Sequence, residues 1–186
     1  MSETPIDPDA DPALDRVVVS EAELADRVRT LGKQITEDYA GTCPLLVCVL
    51  KGAALFLADL ARSVELPVEF DFMAVSSYGT ATKTSGIVRI VKDLDVDLAG
   101  RHVVVIEDIV DSGLTLNYLL KNLAVREPAS LEVCALLVKE GQQRVTPELR
   151  YVGFTIPNEF VVGYGLDVAQ RYRNLRDIRV YLGPQE

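Results

Sequence analysis

The stretch Val103–Thr115, VVVIEDIVDSGLT, decides how the rest of the chain is read. Val103, Val104, Val105 and Ile106 are apolar without alternation, the pattern of a parallel strand buried on both faces. Two carboxylates follow at once, Glu107 and Asp108, with a third at Asp111, and then Ser112, Gly113, Leu114 and Thr115 lead into a helical repeat. This order predicts a strand, an acidic turn and a helix N-terminus. Helices must cover both faces of such a strand, so the expected fold class is α/β, with a central, mostly parallel twisted sheet flanked by helices. In open sheets of that kind the ligand crevice lies beyond the carboxyl ends of the strands, where this turn falls.

Upstream of the stretch, Pro44 and the apolar run Leu45–Leu50 predict a second buried strand that breaks at Lys51 and Gly52 before a helical pattern over Ala53–Arg62. A lysine and a glycine at a strand's carboxyl end suit anion contact, because glycine lets the backbone approach and the next helix presents unpaired N–H groups. An exposed lysine in an ordinary turn is the plainer alternative. Pro67–Val75 alternates, with Val68, Phe70, Phe72 and Ala74 on one side and Glu69, Asp71 and Met73 on the other, so one face should be less buried. The polar segment SSYGTATKTSG, residues 76–86, then separates it from a strand at Ile87–Val91. That predicts a hairpin-like flap whose loop is either plain surface or a closing lid.

Earlier still, residues 1–15 carry Pro5, Pro8 and Pro12 among acidic and small residues and are expected to be a disordered acidic tail, leaving 16–186 as one domain. Arg16–Val19 reads as a short strand, and Ser20 with Glu23 forms a capping box for a helix through Leu24, Val28, Leu31, Ile35 and Tyr39, closed by Gly41. Downstream, the helix that begins near Gly113 must stop before Pro128, Leu131–Val138 is the next buried strand, and Lys139 marks its end. The pattern weakens from Gly141. Tyr151–Ile156 and Ile178–Leu182 read as short strands; between them Phe160–Gly163 supplies an aromatic and two valines beside a flexible turn, and Asp167 and Arg173 follow in a polar stretch.

A formal net charge of -9 argues against non-specific binding to nucleic acid or an anionic membrane surface. Cys43, Cys48 and Cys134 lack CxxC spacing, and Cys48 and Cys134 fall inside apolar runs, as buried thiols of a reducing compartment do. With neither a signal-like N-terminus nor a membrane-length apolar run, the location expected is cytoplasmic. His102 sits at the amino end of its strand, away from the crevice, and is read as a structural or surface residue. The sequence holds no GxGxxG fingerprint, Walker A loop, His/Cys metal cluster or GxSxG elbow. What remains are hard oxygen ligands (Glu107, Asp108, Asp111 and a distant Asp167) and three isolated cations, Lys51, Lys139 and Arg173. That set implies Mg²⁺ bridging a phosphate-rich substrate to carboxylate.

VVVIEDIVDSGLTL resembles the phosphoribosyl pyrophosphate (PRPP) signature of type I phosphoribosyltransferases, nearest to their hypoxanthine-guanine branch. Leu50-Lys51-Gly52, Ser77-Tyr78, Leu137-Val138-Lys139 and Phe160-Val161-Val162-Gly163-Tyr164, with Asp167 and Arg173, extend the likeness in the family's order from about Cys43 to Arg173. The resemblance implies that family's fold, with a small hood built from the N- and C-terminal segments and a flexible lid loop. It further implies Mg²⁺-dependent transfer of phosphoribose from PRPP to N9 of hypoxanthine or guanine, giving IMP or GMP and pyrophosphate.

Carried over by position, Glu107 and Asp108 would meet the ribose hydroxyls directly or through Mg²⁺. Asp111, Ser112, Gly113, Leu114 and Thr115 would hold the 5'-phosphate. Asp111 would also accept the N7 proton, Lys139 would bond the oxygen at C6, Phe160 would stack on the base, and the Val161 backbone would read its edge. Asp167, beside the purine, would support a second Mg²⁺. Lys51, Gly52 and Arg173 would bind pyrophosphate, and Ser77 and Tyr78 would ride on the lid. A cis peptide between Leu50 and Lys51 and a homo-oligomer, dimer or tetramer, are also implied. Leu114 and Glu140 depart from basic residues found in some relatives, which leaves base preference open. The rivals are a xanthine-guanine or other 6-oxopurine enzyme, a PRPP-sensing regulator that binds nucleic acid, and a phosphate-binding structural subunit.

Overall fold

In the computed structural model, residues 7–78 and 87–183 are described, and six strands form a sheet at the centre. They are β2 (Leu45–Leu50), β3 (Glu69–Tyr78), β4 (Ile87–Lys92), β5 (His102–Val110), β6 (Ser130–Lys139) and β7 (Tyr151–Ile156), in the order β4-β3-β2-β5-β6-β7. All neighbours are parallel except β3 and β4, which pair antiparallel as a hairpin. The strand read from Val103 is thus central, between β2 and β6. A second sheet of order β1-β9-β8 joins β1 (Leu14–Val19), β9 (Ile178–Tyr181) and β8 (Val161–Val162), all antiparallel, and so brings the two ends of the chain together as a hood.

Three helices cover the central sheet: α1 (Glu21–Asp38), α2 (Ala54–Ser63) and α3 (Leu114–Ala124). Successive side chains of a strand point to opposite faces, so the apolar runs feed two cores. Leu46, Cys48, Val104, Ile106 and Cys134 pack with α1 and α2, while Leu45, Val47, Val103, Val105 and Val133 pack with α3. Each is essentially inaccessible to solvent, and burial of a Leu, Val or Ile side chain contributes roughly 1.5–3 kcal/mol. Truncating Ile106 to Ala at the centre would therefore cost about 2–5 kcal/mol. The capping box of α1 is formed: Glu23 N–H donates to Ser20 Oγ at 3.3 Å and Ser20 N–H to Glu23 Oε2 at 2.9 Å. Where α1 crosses α2, Gly32 lies against Ser63 so closely that a Cβ would come within 2.5 Å of the Ser63 carbonyl oxygen.

Three expectations are corrected here, and one is made specific. β5 continues through Val110, pairing Glu107 with Ala135 and Val110 with Val138, so the first two carboxylates belong to the strand and only Asp111 to the turn. β3 likewise runs to Tyr78, which places the backbones of Ser77 and Tyr78 in a strand rather than in the polar loop; residues 79–86 of the proposed lid lie outside the described residues. On β3 the buried face belongs to Asp71 and Met73, while Phe70 is 54% exposed. Finally, β1 opens at Leu14 rather than Arg16. Asp11 accepts from the Tyr172 hydroxyl at 2.9 Å and Asp9 pairs with Arg179 at 2.8 Å, so ordered contacts reach into the segment expected as a tail, of which 1–6 lie outside the described residues.

The burial of Asp71 has a local cause. Its carboxylate accepts backbone N–H bonds from Phe72 and Asp95 at 2.7 Å and from Val96 at 3.2 Å, tying the turn after β4 to β3. Burial pushes its pKa up, but these bonds and the nearby Lys92 ammonium outweigh that and leave it below the ordinary carboxyl value. His102, as expected, is at the amino end of the sheet, bonded through Nδ1 to Ser130 Oγ at 2.8 Å. Cys48 and Cys134 are buried and Cys43 is exposed, all as free thiols.

Candidate active site

At the carboxyl end of β5 two cavities meet. One, about 230 Å³, is lined by Glu107, Asp108 and the turn from Asp111 to Thr115, with Val49 and Val75 behind. The other, about 260 Å³, is lined by Lys139, Phe160, Val161, Leu166 and Asp167. Asp108, Ile109 and Asp111 border both, so a reaction between two ligands has a common wall there. A larger cleft of about 530 Å³ lies between α1, α2 and the segment before β9, but several of its polar groups are already paired, Arg176 with Glu21 and Asp59 with the Tyr164 hydroxyl.

The first cavity is built to receive an anion. α3 has no side-chain cap: Gly113 takes its N-cap position with φ +75°, leaving the first N–H groups of the helix for a ligand. Leu114 N–H makes only a long contact, 3.5 Å, to Ser112 Oγ. A side chain at Gly113 is excluded twice, by that φ and by the Val145 carbonyl oxygen, 2.2 Å from where a Cβ would stand. Residues 144–145 strap the turn from outside, their N–H groups donating to the Ser112 carbonyl at 3.0 and 3.3 Å. The sequence carried no signal for this strap, which falls where periodicity fades.

The carboxylates above the turn are held in an environment that opposes their charge. Burial pushes the Glu107 pKa well above the ordinary value, and neighbouring Asp108 adds to the effect. Asp108 is raised by burial too; the N–H of Ile109 and the Arg173 charge pull it back, and Asp167 pushes it up again. Such crowded hard oxygens fit a divalent cation, which would relieve their repulsion. Among the described residues, no three His, Cys, Asp or Glu side chains form a preformed metal cage, so substrate oxygens would have to complete any Mg²⁺ shell.

Opposite them stands the loop after β2. The Leu50–Lys51 peptide is cis. A Cβ on Gly52 would lie 1.6 Å from Asp108 Oδ2, and one on Gly165 would lie 2.0 Å from the Gly52 carbonyl oxygen, so three segments meet here with no room for side chains. Arg173 donates to the Gly165 carbonyl at 2.6 Å and pairs with Asp167 at 2.7 Å. Lys51 Nζ and Arg173 Nη2 converge on Gln170 Oε1, at 3.2 and 3.3 Å, a residue that sequence reasoning missed. Asp167 is thus committed to Arg173 and to the Gln170 N–H, 2.7 Å away.

In the second cavity Lys139, at the end of β6, approaches Asp111 Oδ2 at 3.4 Å. Its side chain is only 12% exposed, so the ammonium is aimed into the cavity. Phe160 is 52% exposed and packs by one side on Tyr181, ring centroids 5.8 Å apart, which leaves the other side for a planar ligand. The Tyr181 N–H donates to the Phe160 carbonyl while Val161 faces Val180, the non-hydrogen-bonded arrangement of an antiparallel pair. Val161's own N–H and C=O therefore point away from β9, toward the open edge of β8, where a ligand edge can meet them.

The site can thus hold an anion on a bare helix end, a planar heterocycle between Phe160 and Lys139, and a second anion between Lys51 and Arg173. Residues 19–169 match the phosphoribosyl transferase domain. The chain is 51% identical over 176 residues to a hypoxanthine-guanine phosphoribosyltransferase of Mycobacterium avium, covering 89% of this chain and 87% of that one. It is 50% identical over 161 residues to a hypoxanthine phosphoribosyltransferase of Salmonella typhimurium, covering 86% and 90%. A crystal structure of a hypoxanthine-guanine phosphoribosyltransferase from Bacillus anthracis superposes with a TM-score of 0.86 at 43% identity, covering 90% of this chain and 98% of that chain.

Proposed function

Since the chain belongs to the phosphoribosyl transferase family, we propose that its site moves the 5-phosphoribosyl group of PRPP to N9 of hypoxanthine or guanine, yielding IMP or GMP and pyrophosphate in purine salvage. The observation that carries this is the common wall of the two cavities: Asp108, Ile109 and Asp111 separate a phosphate-type turn from a pocket with an aromatic face and the Lys139 ammonium.

Each part of the reaction then falls to a group in place. The 5'-phosphate takes the bare N-terminus of α3, with Ser112 and Thr115 hydroxyls and the Gly113 and Leu114 backbone. The ribose hydroxyls face Glu107 and Asp108. The purine lies on Phe160, its C6 oxygen on Lys139, its edge on the Val161 backbone and its N7 proton on Asp111. Lys51, Gly52 and Arg173 take the departing pyrophosphate, since fixed positive charge set where negative charge develops lowers the barrier to such a transfer. Ser77 and Tyr78 close β3, and the lid expected after them, which would shield the activated sugar from water, lies outside the described residues.

Glu107, Asp108 and Asp167 are the residues that would hold Mg²⁺, Asp167 after yielding Arg173 to the anion. Bound there, the metal would supply positive charge to neutralise that of the phosphates. Self-association as a dimer or tetramer belongs to the same reading, supported by Phe70 and Val91 standing 54% and 65% exposed on the paired strands β3 and β4; a monomer by sedimentation equilibrium would remove it. A cytoplasmic location is supported by the three free thiols. The deciding experiment is an assay of hypoxanthine, guanine and xanthine with PRPP and Mg²⁺. Turnover of hypoxanthine and guanine is expected, and silence with every 6-oxopurine overturns the proposal.

A further inference from the structure

Gln170 stands where the two pyrophosphate cations meet, and nothing in the reaction as described uses it. Its Oε1 accepts from Lys51 Nζ at 3.2 Å and from Arg173 Nη2 at 3.3 Å. Two donors with no accepting capacity fix the amide orientation, because the NH₂ end would face them with hydrogens. The backbone is built to hold it there. Ala169 and Gln170 have φ of +49° and +67°, Val168 and Arg171 bridge across the turn, and the Gln170 N–H is anchored on Asp167. A side-chain carbonyl oxygen shared by an ammonium and a guanidinium is a neutral copy of a phosphate oxygen.

We infer that Gln170 is an internal surrogate for the pyrophosphate anion, holding Lys51 and Arg173 in the free enzyme and competing with pyrophosphate for them. The inference rests on the reading of Lys51 and Arg173 as the pyrophosphate cations. Its sign follows from linkage: bonds made only in the free state must be broken on binding, so they weaken the ligand they give way to. A neutral acceptor suits that role. Its bonds are weaker than the ion pair that Arg173 also makes with Asp167, so an amide yields readily to a polyanion and helps displace it when the product must leave.

The test is calorimetric titration of inorganic pyrophosphate, with magnesium in excess, into the wild-type protein and the Gln170→Ala, Gln170→Leu and Lys51→Ala variants. Leu keeps the bulk of Gln without the acceptor, and position 170 is exposed, so both substitutions leave the packing intact. Both Gln170 variants should bind pyrophosphate about 3- to 30-fold more tightly, the range expected for two solvent-facing charge-assisted bonds. Pyrophosphate inhibition of turnover should strengthen in parallel. Unchanged or weaker binding in either variant, with Lys51→Ala weakened, overturns the surrogate while the cation site stands. If Lys51→Ala binds as wild type does, the cation assignment itself is wrong and the surrogate falls with it.

Discussion

At the scale of single residues, Asp111 and Lys139 illustrate how a site can be prepared before its ligands arrive. Their 3.4 Å contact keeps the ammonium and the carboxylate at the mouth of the base cavity, and a purine would insert between N7 and C6 contacts to part them. Asp111→Asn retains the shape of the turn but removes the proton acceptor. Single-turnover rates should fall roughly 10²- to 10⁴-fold, with PRPP affinity nearly unchanged; an undiminished chemical step would exclude Asp111 as the base. Gly52→Ala acts differently. Its methyl cannot coexist with Asp108 Oδ2 at 1.6 Å, so the loop or the strand end must move, and PRPP binding should weaken by at least tenfold while thermal stability drops little. Most of these residues were legible because they stand at strand ends, where apolar runs stop. Gln170 was not, since a glutamine in a polar stretch has no pattern and its partners lie far off in sequence.

At the scale of elements, β5 shows what periodicity can and cannot settle. Its apolar half was evident, yet the strand continues through Glu107 and Asp108, because pairing with β6 satisfies the backbone whatever the side chains are. On β3 alternation showed that one face is less buried without saying which: the buried place belongs to Asp71, whose carboxylate replaces a hydrophobic contact with three N–H bonds, and not to Phe70. Asp71→Asn should destabilise by about 1–3 kcal/mol near neutral pH. The folded-state pKa of Asp71 is depressed, so its charge stabilises the fold above the unfolded value of about 3.9 and that contribution fades as pH falls through the folded value. Denaturant titrations at a series of pH values should show the wild-type advantage shrinking below about pH 4. A constant difference across the range would mean that the loss comes from packing instead.

At the scale of the whole molecule, the fold class and the parallel sheet were readable from strand-helix alternation, whereas the hood was implied only by the family resemblance. β1, β8 and β9 are short, and β1 meets β9 only because the chain ends return to each other, a pairing that local pattern cannot report. The overall charge of -9 leaves anion binding to local devices: the bare end of α3, two cations and, on the proposed reading, Mg²⁺. Chelating magnesium should therefore stop turnover without shifting the melting temperature, since no cage among the described residues depends on it. A marked loss of stability in chelator would reveal a structural ion. The same protein should fail to shift labelled DNA or RNA at physiological salt, against the rival reading as a regulator.

The hood also sets an order of events during synthesis. β1 leaves the ribosome long before β9, and until β9 arrives it has no partner and β8 has nothing to lie against. The central sheet can settle first, with its phosphate turn complete, because β5, β6 and α3 are all made earlier. On the proposed assignment of the site, a nascent chain would therefore recognise the sugar before it could recognise a purine. The surface carrying Phe160 and Val161 becomes competent only when the last strand joins the first.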